Sequence, residues 1–288
     1  MSAITLAQLM GRQQLGVPYA YTERDTMLYA LAIGMGHDPL DEAELDFVYE
    51  RRGRLKTVPT QAITVARHML IFEVGMQVEK FLHGQQRLVL HRPLPPAAEL
   101  LGDHRVLAVQ DKGADKGILV QTLSQIRLRS GEPLFDIDNL YFCRGDGGIG
   151  SSGTLNRPTH TLPERAPDLL RSCDTLAWLA LLYRLTGDRN VIHADPAIAK
   201  AQGFQAPILQ GSCTMALACR EVISGVLKGQ AERIRSFGAR FTAVVYPGDR
   251  LQTEIWLDGP RLWFRCSVPS RQSVVLDQGL CELAEPAA

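Results

Sequence analysis

Ala206–Ile223 reads APILQGSCTMALACREVI. From Gly211 onward, Met215, Ala216, Leu217, Ala218, Cys219, Val222 and Ile223 leave no wide polar face, so the segment is predicted to be a helix buried inside the protein. The chain that follows supplies a cover for it. Phe237–Val245, Arg250–Leu257, Arg261–Ser267 and Ser273–Leu280 are β-rich or alternating runs broken by Pro, Gly and Asp turns. An apolar helix must bury its surface, and the economical arrangement is a strongly curved antiparallel sheet wrapped around it.

The same order of elements occurs upstream. Thr22–Met35 reads as an amphipathic helix with a polar start, and Pro59–Val78 as a long helical candidate. Strand-like runs follow at Arg87–Pro96, His104–Gln110, Gly117–Leu128 and Leu134–Phe142. Residues 144–174, which include RGDGGIGSSG, have the texture of a linker, after which Thr175–Leu185 and Gln210–Leu227 read as helices. The chain is therefore expected to be an α+β protein of two divergent tandem units, residues 1–150 and 151–288. Side by side, the two units would form one continuous sheet in which each covers an edge of the other.

Composition removes several classes of function. The 31 basic and 31 acidic side chains cancel, so no overall field favours nucleic acid or an anionic membrane. The N-terminus MSAITLAQLMGRQQLG lacks the pattern of a signal peptide, and the longest apolar runs, such as Leu176–Tyr183, fall short of the ~20 residues a spanning helix requires. The C-terminus CELAEPAA carries no recognised retention or peroxisomal ending, so a cytoplasmic protein is expected. Six scattered cysteines, Cys143, Cys173, Cys213, Cys219, Cys266 and Cys281, form no CxxC pair or zinc spacing, and are expected to be reduced and structural. No metal or cofactor is expected.

The polar stretch Tyr183–Pro196, YRLTGDRNVIHADP, stands out against this apolar background. On a continuous helix Asp188 and His193 would lie about 140 degrees apart at ~100 degrees per residue. Gly187 and the polar residues after it end the helix, so a loop has to bring the two side chains together. A neutral His and a carboxylate aimed at one water can remove and return protons near neutral pH, most readily if desolvation raises the Asp. Asn190 can orient the loop without titrating, while Asp195 followed by Pro196 reads as the cap of a new helix. Gly211, Ser212 and Thr214 place unpaired N–H groups at the start of the buried helix, where a developing oxyanion could sit. The matching place in the first unit offers only Gly34, Met35, Gly36, His37 and Asp38, so that unit is expected to be noncatalytic and to supply a wall.

GDRNVIH followed by HADPAIAKAQGFQAPILQGSC resembles the hydratase 2 motif of the MaoC-like dehydratases, the (R)-specific 2-enoyl-CoA hydratases. The likeness extends to the double hot dog hydratase domain of peroxisomal multifunctional enzyme type 2 and covers nearly the whole chain. It includes YTERDTMLYALAIG, HGQQRLVLHRPLPP, DKGADKG and GDGGIG in the first half, and FTAVVYPGDRLQTEIW in the second. The resemblance implies a double hot dog fold. It also implies that Asp188 and His193 hold the water that adds across a double bond, with Asn190 beside them and the Gly211 N–H on the thioester carbonyl. Arg189, Val191 and Gln210 depart from the family pattern, which often has an aromatic, a Pro and a His there, but no catalytic group is removed. The implied substrate is an acyl-CoA thioester, with apolar residues of Pro59–Val78 in the acyl wall. No cofactor is implied, and a homodimer is expected. A dehydratase acting on acyl carrier protein substrates, a noncatalytic acyl-CoA binder and a thioesterase are the alternatives.

Overall fold

The computed structural model describes residues 4–284 apart from 69, 72–74, 77–79 and 158–159. Ten strands form one sheet: β1 (Gln13–Tyr21), β2 (Phe81–Leu90), β3 (Ala98–Asp111), β4 (Ile118–Leu128), β5 (Pro133–Cys143), β6 (Leu169–Asp174), β7 (Ile234–Phe241), β8 (Arg250–Asp258), β9 (Arg261–Val268) and β10 (Ser273–Leu283). Their spatial order is β1-β3-β4-β5-β2-β7-β10-β9-β8-β6. Read inward from either edge, each half has the order first, third, fourth, fifth, second strand. The halves join through antiparallel β2 and β7, from Gln85 opposite Arg240 to Val89 opposite Ser236. This is the double hot dog expected, and the seam covers one edge of each half.

Seven α-helices accompany the sheet among the described residues: α1 (Leu6–Met10), α2 (Glu23–Ala32), α3 (Glu42–Leu45), α4 (Gln61–Val65), α5 (Leu179–Tyr183), α6 (Pro196–Ala201) and α7 (Gly211–Gly225). Thr22 starts α2 with a capping box, its hydroxyl accepting from Asp25 N while the Asp25 carboxylate accepts the Thr22 N–H. Every residue of α7 from Ser212 to Ile223 is buried, which makes it the central helix that its apolar pattern predicts. Phe237, Ile255, Phe264, Cys266 and Leu276 of the second half share a core with it, and so do Tyr29, Ile33, Leu88 and Phe135 of the first.

The first half departs from the expected long helix. Helix α4 has five residues and is followed by non-helical backbone at Ala66; part of the rest of Pro59–Val78 falls outside the described residues. Ile63, Thr64 and Val65 form a β-branched run with reduced helix propensity, and Thr60 makes no side-chain cap. Two strands, β1 and β6, stand where no strand is expected from the sequence. Both are outer strands of the sheet. In β1 the pairing with β3 shifts between Gln14 and Val17, around Gly16 at φ +67°, whose N–H donates to Asp103 at 2.7 Å.

Arg220 and Glu221 enter the core on α7. Arg220 donates to Glu44 at 3.1 Å and to Glu221 at 3.3 Å, and Arg171 donates to the second Glu221 oxygen at 3.0 Å. Burial opposes the Glu44 charge, but Arg220, the Ser224 hydroxyl and the Gly36 N–H outweigh it and hold its carboxyl below the usual range. His37 belongs to this network, 3.3 Å from Glu44 and in contact with Arg220. All six cysteines are thiols, and burial raises the pKa of those on α7, Cys213 and Cys219. Among the described residues no helix is long and apolar enough to cross a membrane.

Candidate active site

Between the halves lies a cleft of about 1730 Å³. Its walls come from residues 63–68, from β2 and β5, from the segment Gly187–His193, and from the start of α7 with Phe241 of β7. All four residues singled out in the sequence, Asp188, Asn190, His193 and Gly211, line it. His37 is not among the lining residues, in keeping with its place in the ion network.

The loop that carries Asp188 depends on Gly187. Its φ of +141° is a conformation that side chains disfavour, and a Cβ there would lie 2.5 Å from the Thr64 carbonyl oxygen. The loop of one half is thus laid directly against α4 of the other. After Asp188 the chain forms a short 3₁₀ turn, Val191–His193, started by the Asn190 side chain, which accepts the Ile192 N–H at 3.3 Å. The Asn190 backbone N–H also donates to Asp188 at 3.3 Å, so the residue is bonded to the loop on both sides. Asp195 then caps α6, accepting from Ala197 N at 2.8 Å and Ile198 N at 3.3 Å.

His193 is buried, and its Nδ1 lies 2.8 Å from the Ile208 carbonyl oxygen. A carbonyl only accepts, so Nδ1 carries the proton and Nε2 is left with a lone pair. Burial pushes the His193 pKa down to about 4; the Arg67 charge adds to this, and the bond to Ile208 opposes it. The imidazole is therefore neutral at neutral pH, the form required of a base. Asp188 is equally buried, and its Oδ1 is in contact with the Arg67 guanidinium.

Gly211 is the first residue of α7, where backbone N–H groups have no partner within the helix. A Cβ at this position would be 3.1 Å from two atoms of the Phe241 ring, a fit tight enough to favour glycine. Gln210, one of the departures from the family pattern, is fully buried and donates through Nε2 to the Ala180 carbonyl at 3.0 Å. That bond ties the start of α7 to α5, from which the Asp188 loop emerges. Thr214 is turned back into the helix, its N–H and hydroxyl both directed at the Gln210 carbonyl at 3.1 and 3.3 Å.

Two residues of the first half belong to this site and are missed by sequence reasoning. Arg67 follows α4 and touches Asp188; its only sequence signal is a charge within the apolar run TQAITVARHMLIF. His83 lies in the HGQQ stretch quoted above, 4.8 Å from the Phe241 ring and 4.9 Å from the Tyr141 ring between centroids. Burial first, and then the Arg67 charge, lower the His83 pKa to about 4. His83 Nε2 lies 3.1 Å from the Asn139 side-chain oxygen, which also accepts from Gln86 at 2.8 Å. Lys112, Arg144, Arg157, Arg189 and Arg240 add positive charge to the cleft lining.

Family models match both halves in register with this geometry: the MFE-2 hydratase 2 N-terminal domain over residues 19–145 and the MaoC like domain over residues 159–277. Enoyl-CoA hydratase 2, peroxisomal, of Arabidopsis thaliana is 37% identical over 275 residues, covering 90% of this chain and 89% of that one. The chain belongs to the MaoC-like hydratase–dehydratase family. A crystal structure of a MaoC-like dehydratase from Phytophthora capsici superposes on this member of the family with a TM-score of 0.85, at 28% identity and 98% coverage of both chains. The peroxisomal multifunctional enzyme type 2 of Mus musculus is 33% identical over 274 residues, covering 92% of this MaoC-like chain and 36% of the mouse protein. These relatives correct the cytoplasmic expectation. Two of the three are peroxisomal by name, and a neutral overall charge does not separate that compartment from the cytosol.

Proposed function

We propose that the protein catalyses the reversible addition of water to a trans-2-enoyl-CoA, giving the (3R)-3-hydroxyacyl-CoA. The observation that carries this reading is the convergence of Asp188, His193 and the Gly211 end of α7 on one cleft, in a chain of the MaoC-like family. A thioester whose C1 oxygen accepts the Gly211 N–H is electron-poor at C3, and the same N–H stabilises the enolate-like charge that follows. Asp188 and the lone pair on His193 Nε2 accept from the water. Its hydroxyl adds to C3 and its proton is returned to C2, so that both parts of one water end on the substrate. Asn190 holds the turn in which these groups sit.

The first half shapes the pocket in this reading. Ile63, Val65, Leu119, Ile137 and Leu140 supply apolar lining for the acyl chain, the first two from the five-residue α4. Lys112, Arg144 and Arg157 are the cations for the coenzyme A phosphates. A homodimer completes the proposal: Leu31, Trp178, Leu181 and Leu185, on or beside the mutually contacting α2 and α5, are exposed apolar side chains that a second copy would cover.

The test follows loss of the conjugated enoyl absorbance with purified protein and trans-2-enoyl-CoA, then resolves the product on a chiral column. A (3R) product formed at the same rate with and without chelator supports the reading. A purely (3S) product, or hydrolysis of the thioester alone, would overturn it. Replacing coenzyme A by acyl carrier protein in the same assay ranks the two carriers.

A further inference from the structure

Arg67 is a cation of the first half seated against a carboxylate of the second, and its surroundings point to more than a tie between the halves. It contacts Asp188 through Oδ1, the oxygen that also accepts the Asn190 N–H at 3.3 Å. With Oδ1 turned to these two donors, the Asp188 carboxylate is held in one orientation at the cleft wall. We propose that Arg67 is a positioning residue of the hydration centre, which fixes the Asp188 oxygen presented to the water and so makes catalysis depend on the contact between the halves. The inference rests on the hydratase reading above and adds to it a group from the half expected to be noncatalytic.

Two contacts join the same pair of segments. The Thr64 carbonyl oxygen lies 2.5 Å from where a Cβ on residue 187 would be, and Arg67 meets Asp188 one residue further along the loop. The close approach of the two backbones therefore brings the guanidinium within reach of Asp188. The side chain of Arg67 is 24% exposed and that of Asp188 9%, so solvent screens the pair weakly and removing either partner leaves a buried charge uncompensated. Around the guanidinium stand His193, His83, Tyr141 and Tyr183 in addition to Asp188. Burial is the main cause that keeps both histidines neutral, and the Arg67 charge adds to it, so that His193 stays in its accepting form beside the carboxylate.

The experiment compares wild type with Arg67→Gln, Arg67→Lys, Asp188→Asn and the double variant Arg67→Gln/Asp188→Asn, with folding checked by circular dichroism and thermal denaturation. Arg67→Gln is expected to lower kcat ~10- to 100-fold on trans-2-enoyl-CoA with KM within ~3-fold, the penalty of a misplaced reacting group. Arg67→Lys, which keeps the charge, recovers part of that loss and stands in should the glutamine variant fail to fold. In the Asp188→Asn background Arg67→Gln should cost almost nothing further, because its effect passes through Asp188. Carbon-13-labelled histidine gives a second readout that needs no substrate: the His193 titration midpoint moves upward in Arg67→Gln. Unchanged kcat, a rise in KM alone, or full additivity in the double variant would overturn the proposal. If wild type shows no hydration, the hydratase reading fails by itself. The His193 titration then decides whether Arg67 acts on this pair: a shift supports it and no shift overturns it.

Discussion

His193 directs Nδ1 at the Ile208 carbonyl, 2.8 Å away, and so presents Nε2 to the cleft that Asp188 also lines. Ile208 lies just before the buried helix, so the segment that leads into α7 also fixes the tautomer of the base. The first prediction concerns loss of these groups. His193→Ala and Asp188→Asn each reduce kcat by ~10²-fold or more while the fold is retained, as expected for positioned proton-transfer groups. Steady-state kinetics with thermal denaturation checks this, and near-normal kcat in either variant removes that residue from the mechanism.

The second prediction is a pH profile without the usual histidine limb. An exposed imidazole titrates near ~6.5, which would impose a fall in kcat/KM just below neutrality. Burial holds His193 down at about 4, so kcat/KM should stay level from neutrality down to about pH 5 and fall only below it. Stability has the same sign. His83 and His193 have depressed folded values of about 4, so the unfolded chain binds protons first as the pH drops. Their contribution is complete above ~6.5 and is lost as the pH falls toward 4. Melting temperatures measured across this interval should decline toward acid, and the His83→Phe variant should decline less steeply.

Much of this arrangement is legible in the sequence because it is local. The burial of α7, the capping role of Asp195 and the need for a loop between Asp188 and His193 follow from neighbouring residues, and the structure shows each of them. What is not legible depends on contacts between distant segments. Nothing near Arg67 indicates that it will meet Asp188, because the meeting is arranged by the seam between β2 and β7 and by the fit of Gly187 on Thr64. Strand β1 escapes detection for a related reason: Gly16 and Pro18 break its alternation, and its partner β3 lies far along the chain. The length of the first central helix is misjudged because apolar content alone does not separate a helix from irregular backbone.

Both structural glycines of the site should resist substitution, with different signatures. Gly187→Ala places a Cβ 2.5 Å from the Thr64 carbonyl at φ +141°, so stability falls by about 1–3 kcal/mol along with activity. Gly211→Ala meets only the edge of the Phe241 ring at 3.1 Å, which can shift, so its loss is expected mainly in kcat, ~10-fold or more. Urea denaturation beside steady-state kinetics separates the two; equal destabilisation by both would show that the Gly211 fit is structural.

The ion network behind α7 is predicted to govern stability without touching turnover. Glu44→Gln removes one of the two carboxylates on the buried Arg220 and leaves Glu221 as the other, so it should cost less than the ~3–5 kcal/mol of a fully broken buried pair, about 1–3 kcal/mol. His37, more exposed and at the margin of the same network, should matter much less. Denaturation curves together with kcat for Glu44→Gln and His37→Ala check both expectations, and a large kcat effect in a stable His37→Ala variant would contradict the placement.

Finally, each chain should carry one active site, although its two halves share a strand order. In the second half the central helix begins at Gly211 in the cleft wall, with the Asp188 loop and His193 beside it. In the first half the corresponding helix, α4, has five residues and a buried start, and Thr60 and Gln61 before and at its first turn are almost fully covered. Gln61 donates to Thr26 at 3.1 Å, so the side chain at that helix start is engaged inside the first half. The residue comparable to His193, His37, is held by Glu44 and Arg220 in the ion network. Among the described residues the first half therefore offers no second helix end facing a proton-transfer pair, and its contribution to the cleft between the halves is the lining from Ile63 to His68 and from β2 and β5. Titration with a tight-binding enoyl-CoA analogue, followed by calorimetry, should give one equivalent per chain, and His37→Ala should leave kcat within ~2-fold while His193→Ala lowers it ~10²-fold or more. Two equivalents per chain, or equal losses in the two variants, would show that both halves catalyse and that the short α4 is no obstacle to a second site.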